Sequence, residues 1–275
     1  MNTKVLFNQI KKKQSFLCVG LDINQDLFPD NLRDDPNKVF NFSKSIIDAT
    51  AKFCVAYKIN IAFFEAYGLE GWDCLEKITD YLNNYYPEIF TIADAKRADI
   101  GNTSKRYAKA FFDHLNFNSI TVAPYMGEDS VEPFLNYKDR YTILLALTSN
   151  RGAKDFQLLS LGDKKLYEHV IETSLTWKNS NQLMFVVGAT RPDALIKIRE
   201  LIPENFLLVP GIGAQGGNLE DVANNGLNHQ CGILVNSSRA IIYASKENNY
   251  AEKAGFEANQ IQQKMKDLLF KHNII

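Results

Sequence analysis

Short apolar runs rich in β-branched and aromatic residues alternate along this chain with longer stretches of helical spacing. Residues 15–22 read as a strand and 37–53 as an amphipathic helix, with Phe40, Ile47 and Phe53 among its apolar positions. The same couple recurs at 54–61 and 71–86, at 89–96 and 103–115, and at 119–124 and 131–138. It continues at 141–149 and 163–178, and at 183–189 and 193–201, where Arg191-Pro192 marks the helix start. The last two couples are 206–213 with 219–225 and 232–238 with 251–270. The strands are near-continuous apolar runs, as expected where a parallel sheet is covered on both faces. Eight such units with no linker between them predict one α/β domain over 1–275, a single (β/α)8 (TIM) barrel. A doubly wound open sheet is the competing architecture. It usually carries a Gly-rich turn after its first strand, and residues 20–26 contain no GxGxxG.

Composition narrows the function classes. Of 275 residues, 45% are hydrophobic and 23% charged, the balance of a globular chain with a full core, which excludes disordered and low-complexity classes. Thirty-one Lys and Arg face 32 Asp and Glu, a formal net charge of −1. There is thus no global attraction to nucleic acid or to an anionic membrane, and any anion site must be local. Cys18, Cys54, Cys74 and Cys231 are scattered without CxxC spacing, which reads as reduced, partly buried thiols rather than a disulfide or zinc framework. Lys11, Lys12 and Lys13 precede a short apolar run at 16–21, but Asp22 ends that run before it reaches the length of a signal segment. No run approaches the ~20 apolar residues of a membrane span, so a cytoplasmic protein is expected.

In a barrel of this kind, working groups stand at the C-terminal ends of the strands, with a phosphate site in the loops after the seventh and eighth. The third strand ends in Asp94-Ala95-Lys96-Arg97-Ala98-Asp99. Asp94 and Lys96 are two apart and in phase with Ile92, so alternation puts both on the interior face. Charges inside a protein are paired, either as a structural ion pair or as a working site. Lys58 and Asn60 share a face near the end of the second strand, which predicts a Lys–Asp–Lys array beside Asp94. Asp22 at the end of the first strand would otherwise be a turn residue, and beside that array it becomes a polar ligand contact. Residues 209–217 (Val-Pro-Gly-Ile-Gly-Ala-Gln-Gly-Gly) let the backbone approach an anion closely, and Arg239 follows the eighth strand. Together these two loops suit a phosphate monoester.

His114, His169, His229 and His272 lie away from strand ends, so no nucleophilic triad is supported. A metal site needs clustered oxygen or imidazole ligands, whereas these carboxylates have lysines among them to neutralise them. A Schiff base needs an uncharged lysine, which flanking carboxylates disfavour. A protonated lysine that delivers a proton fits better.

These residues carry a family resemblance. The stretch from Asp94 through Lys96 and Asp99 to Thr103, DAKRADIGNT, resembles the DxKxxD motif of the orotidine 5′-phosphate decarboxylases. The loop from Pro210 through Gln215 and the run Ser237-Ser238-Arg239 match the family's phosphate-binding pieces. Asp22, Lys58 and Ser149 fall where that family places functional residues, and the likeness spans nearly the whole chain. Arg97 and Gly101-Asn102 resemble the longer bacterial subtype, type 2.

The resemblance implies decarboxylation of orotidine 5′-phosphate to uridine 5′-phosphate, the last step of de novo pyrimidine synthesis, with no metal and no cofactor. It implies Lys96 as proton donor to C6 and Asp94 beside the leaving carboxylate. Lys58 would orient Asp94, Asp22 would bind ribose hydroxyls, and Ser149 the pyrimidine amide edge. Gln215 and Arg239 would hold the phosphate. Asp99 and Thr103 would reach into a neighbouring subunit, which implies a homodimer with composite sites. Loops 150–162 and 213–218 are candidate lids. Two other readings share the scaffold. A magnesium-dependent sugar-phosphate enzyme would carry a carboxylate on the second strand where Lys58 stands, and a silent phosphate sensor would have no need of buried charges.

Overall fold

The computed structural model describes residues 1–189, 192–211 and 217–275. Eight strands close into a barrel: β1 (Leu17–Leu21), β2 (Ala56–Asn60), β3 (Phe90–Arg97), β4 (Ser119–Val122), β5 (Tyr141–Leu147), β6 (Leu183–Val187), β7 (Leu207–Pro210) and β8 (Ile233–Ser237). Neighbours in sequence are neighbours in space and every pair is parallel. The barrel closes where Leu17 pairs with Val235. All eight predicted strands are present, and the open-sheet alternative is excluded by that closure. Strands β1, β4, β6 and β8 are buried at every position, because helices cover the outside while side chains fill the inside.

Helices return the chain between strands: α2 (Lys38–Thr50), α4 (Gly68–Tyr85), α5 (Gly101–Ala108), α6 (Glu128–Leu135), α7 (Leu166–Leu175), α8 (Pro192–Leu201), α9 (Leu219–Gly226) and α11 (Tyr250–Lys271). Three further helices lie outside the predicted pairs: α1 (Thr3–Lys13), α3 (Ile61–Glu65) and α10 (Arg239–Ile242). α1 buries only Leu6 and Ile10, too little apolar surface to stand out in the sequence. Its Lys13 ammonium donates to the Ala51 and Cys54 carbonyls at 2.8 and 3.0 Å, and Tyr141 accepts from Thr3 N–H at 3.0 Å. Those contacts, all with residues entering β2 and β5, lay α1 across the N-terminal mouth. The three lysines thus close a helix, where cations face unpaired carbonyls, and the apolar run after them is β1. No helix among the described residues is long and apolar enough to cross a membrane.

Element ends depart from the sequence expectation for identifiable reasons. Ile61, read as the end of the second strand, starts α3. The helix expected over 103–115 is α-helical only to Ala108, and Lys109–His114 form a π-helical turn closed by Leu115 N–H on the Ala110 carbonyl at 3.0 Å. The helix expected from 163 begins at Leu166, because Ser160–Leu161 and Lys164–Lys165 pair as a small exposed hairpin. The seventh strand stops at Pro210, and residues 212–213 of the expected strand lie outside the described residues.

Two strands are irregular at their C-terminal ends. In β3, Ala93 faces Ile120 and the next paired residue, Arg97, faces Val122. Asp94, Ala95 and Lys96 therefore stand opposite Thr121 alone, a bulge that breaks strict alternation. In β5 the register shifts between Leu145 and Leu147.

Candidate active site

A cavity of about 330 Å³ opens at the C-terminal ends of the strands. Its apolar floor comes from Leu145, Val186 and Leu208, and its polar wall from Asp22 just after β1 and from β2, β3, β4 and β8. Asp22, Lys58, Asp94, Lys96, Ser149 and Arg239, all singled out by sequence, line it together.

The charged residues form a continuous chain. Lys58, whose side chain is only 6% exposed, donates to Asp94 Oδ2 at 2.9 Å and lies 3.4 Å from Asp22 Oδ1. Asp94 Oδ1 accepts from the Lys96 ammonium at 2.5 Å and from Thr121 Oγ1 at 3.1 Å. An ammonium thus occupies the space between the two carboxylates. The Asp94 side chain is 10% exposed and that of Lys96 is 53% exposed, so the chain leads from the buried interior to an amine open to the cavity.

Burial is the largest single influence on Asp94 and opposes its ionisation. The charges of Lys58 and Lys96 and their hydrogen bonds outweigh it and bring its pKa down to about 2. For Lys58, burial again acts most strongly and favours the neutral amine, but Asp94 and Asp22 reverse it and raise the pKa. At neutral pH Asp94 is an anion fixed between ammonium groups.

Lys96 reaches Asp94 by a route that strict alternation did not foresee. It sits in the bulge with φ +47°, in the left-handed region that costs a side-chain-bearing residue roughly 1 kcal/mol. Its N–H donates to Thr121 Oγ1 at 2.9 Å. Thr121, which also donates to Asp94, was not among the sequence candidates. Its signal was available, since Ser119 and Thr121 alternate with Ile120 and Val122 and give the inner phase of β4 a polar character.

At the mouth of β8, Asn236, Ser237, Ser238 and Arg239 line the cavity, and Arg239 is exposed as the first residue of α10. Asn236 is buried, and its Oδ1 has no hydrogen-bond partner among the described residues. Gly20 on β1 makes this packing possible. A Cβ there would stand 1.8 Å from Ser238 Oγ and 3.1 Å from Asn236 Oδ1. Across the cavity Gly188 plays the same part, since its Cβ would stand 2.8 Å from Ser149 N. Gln157 holds the residue before Ser149, accepting from Thr148 N–H at 2.8 Å.

Not every expected residue converges here. Asp99 and Thr103 do not line the cavity; Asp99 accepts from Ile100 N–H at 2.7 Å, and Thr103 is exposed on α5. Gln215 and residues 213–216 of the expected lid lie outside the described residues. Among the described residues no histidine lines the cavity, and Cys18, Cys54, Cys74 and Cys231 are free and buried. Among the described residues no three His, Cys, Asp or Glu side chains cluster in a way that could hold a metal ion.

Comparison with known proteins gives a consistent likeness. The profile of the orotidine 5′-phosphate decarboxylase / HUMPS family matches residues 15–254. The chain is 60% identical over 265 residues to the orotidine 5′-phosphate decarboxylase of Christiangramia forsetii, covering 96% of this chain and 97% of that one. It is 53% identical over 270 residues to the protein of that name from Bacteroides fragilis, covering 98% of each. Among solved structures, Leishmania donovani OMP decarboxylase superposes with a TM-score of 0.80 at 38% identity, covering 96% of this chain and 100% of that one.

Proposed function

That this chain belongs to the orotidine 5′-phosphate decarboxylase family is the premise from which we propose how it works. It converts orotidine 5′-phosphate into uridine 5′-phosphate and CO2 in pyrimidine biosynthesis, the cofactor-independent reaction typical of that family, and Lys96 delivers the proton to C6. The observation that carries the assignment of Lys96 is its ammonium at the cavity, 2.5 Å from a carboxylate that is itself held by Lys58.

The C6–carboxylate bond breaks, CO2 departs and the electron pair stays on C6. No adjacent carbonyl delocalises that pair, so a fixed cation beside C6 stabilises the transition state more than the ground state. Lys96 supplies the cation and then the proton, which forms the C6–H bond, and solvent at its half-exposed amine restores the charge. Asp94 stands beside the substrate carboxylate, disfavours the bound ground state and keeps the Lys96 ammonium in place. Because Asp94 ionises near pH 2, it bears full charge throughout the neutral range.

Lys58 orients Asp94, and Asp22 takes the ribose hydroxyls. Ser149 reads the pyrimidine amide edge, while Arg239 and Gln215 hold the phosphate. The binding energy of that remote dianion closes loops 150–162 and 213–218 over the ring. The working unit is a homodimer of single-domain chains in which Asp99 and Thr103 complete the partner's site. In support, Ile100, Tyr125, Met126 and Phe156 are exposed apolar side chains in the loops after β3, β4 and β5, on the same side as Asp99. The sequence belongs with the longer bacterial subtype, and the protein works in the cytoplasm.

The test is a spectrophotometric assay with orotidine 5′-phosphate, with and without excess EDTA. Turnover unaffected by chelation is expected. Turnover abolished by EDTA and restored by magnesium would overturn the metal-free mechanism, and tight binding without conversion would make the protein a sensor.

A further inference from the structure

Arg97 follows the proton donor directly and takes no part in the steps above, yet its guanidinium is held on several sides. One nitrogen, Nη1, donates to the Ala95 carbonyl at 2.9 Å, two residues back along its own strand. The other, Nη2, is ion-paired with Glu65 at the end of α3. The group lies over the rings of Tyr107 and Phe111, 5.4 and 5.7 Å from their centroids. Its side chain is 20% exposed. Its own carbonyl accepts from Ala123 N–H at 3.0 Å, which returns the chain to regular pairing with β4. Arg97 therefore closes a loop around Lys96: side chain to the carbonyl on one side of it, backbone back in the ladder on the other.

Such a brace matters because Lys96 has a strained backbone. A bulge re-aims a side chain, but a lysine at positive φ keeps that conformation only where its surroundings over-determine it. Two interactions do so here: Lys96 N–H on Thr121, and Arg97 on Ala95. The planar, forked guanidinium can serve the carbonyl and the carboxylate at once and stack on rings, which a lysine ammonium cannot. We propose that Arg97 is a positioning residue for catalysis, its clamp on the Ala95 carbonyl keeping the β3 bulge in the conformation that puts the Lys96 amine on Asp94 and into the cavity. The inference rests on the reading of Lys96 as proton donor.

The experiment measures kcat, KM and Tm for Arg97→Met, Arg97→Lys, Glu65→Gln and Glu65→Ala beside wild type and Lys96→Ala, with kinetics taken well below each Tm. A second readout is exchange of the C6 hydrogen of uridine 5′-phosphate in D2O, which reports proton delivery without decarboxylation. Arg97→Met and Arg97→Lys should each lose about 10- to 100-fold in kcat with KM within about threefold, as displacement of a reacting group by an ångström does. The exchange rate should fall in parallel, and the charge-conserving lysine should fail to rescue. Glu65→Gln, which keeps an acceptor, should lose about threefold or less, whereas Glu65→Ala should approach the Arg97 variants. Arg97→Met with kcat and exchange within twofold of wild type, whatever its Tm, would overturn the proposal, as would full rescue by lysine. If Arg97→Met does not fold, Glu65→Ala decides by the same criteria. Activity retained by Lys96→Ala would instead refute the proton-donor reading itself.

Discussion

Enclosed positive charge is handled differently at the two ends of this barrel. At the N-terminal end, Arg199 of α8 is surrounded by backbone carbonyls. It donates to Gly226 at 2.7 and 3.0 Å, to Asn205 at 2.8 Å, to Ile202 at 2.9 Å and to Gly232 at 3.0 Å. It thereby ties α8, α9 and the entries to β7 and β8 together. Burial pulls its pKa down to about 10, still far above neutral, so it stays charged, and these hydrogen bonds all go to neutral carbonyls. At the C-terminal end, Lys58 is more deeply enclosed and its partners are carboxylates, and the chain of charges ends in a half-exposed amine. A cation whose donors are spent on fixed carbonyls can only brace the fold. A cation paired with an anion at a cavity keeps a donor that a reacting group can compete for. The difference lies in the partners and in the open side: the more deeply buried cation is the one at the working end.

Substitution at each end should separate these roles. The largest effect is expected for Lys96→Ala, which removes both the cation and the proton: kcat should fall by at least about 10⁴-fold, as loss of a general acid and of electrostatic stabilisation together implies. Thermal melting should show its Tm unchanged or slightly lowered, because alanine keeps the same backbone cost at φ +47° and Asp94 loses one of its two cations while Lys58 still pairs it. The opposite outcome is expected for Arg199→Met. It leaves several carbonyls without their donor, which should cost about 3 kcal/mol or more and lower Tm by about 10 °C, while kcat of the folded enzyme stays within twofold.

Acid titration addresses the same contrast from the carboxylate side. Asp94 ionises near pH 2 in the fold against 3.8 for a free aspartate, so its ionisation adds stability that is fully present above about pH 4 and is lost as pH falls through about 2. By the linkage constant the contribution is about 2 kcal/mol. Denaturant unfolding between pH 5 and 2 should show this component of the slope in wild type and lack it in Asp94→Asn. The smallest effect is expected where packing alone is perturbed. Gly20→Ala places a methyl on Ser238 and should raise KM by about tenfold through the neighbouring Arg239 loop, with kcat nearly unchanged. Steady-state kinetics with substrate and with its phosphate-free nucleoside would check that the loss belongs to the phosphate end.

The eight strand–helix pairs were legible because an all-buried parallel strand writes itself as an apolar run and its covering helix as a 3.6-residue stripe. The candidate site was legible because charges at the ends of apolar strands have no cheap structural explanation, so Asp94, Lys96 and Lys58 stood out before their distances were known. Thr121 was missed because one threonine in a strand is ordinary, and α1 because a helix with two buried apolar positions has almost no stripe. Asp99 and Thr103 stand apart from this chain's own cavity, so their spacing after Lys96 did not bring them into it.

The order and kind of the elements, and which residues carry charge into the barrel, follow from local hydrophobic periodicity and from the penalty on unpaired buried charge. Tertiary structure alone decided how those charges meet. Alternation placed Lys96 on the same face as Asp94, but the bulge in β3, set by the pairing with β4 and braced from α3 and α5, turned the backbone at Lys96 into the left-handed region and brought the amine onto the carboxylate. That outcome depends on contacts between segments far apart in the chain, and no local pattern records them.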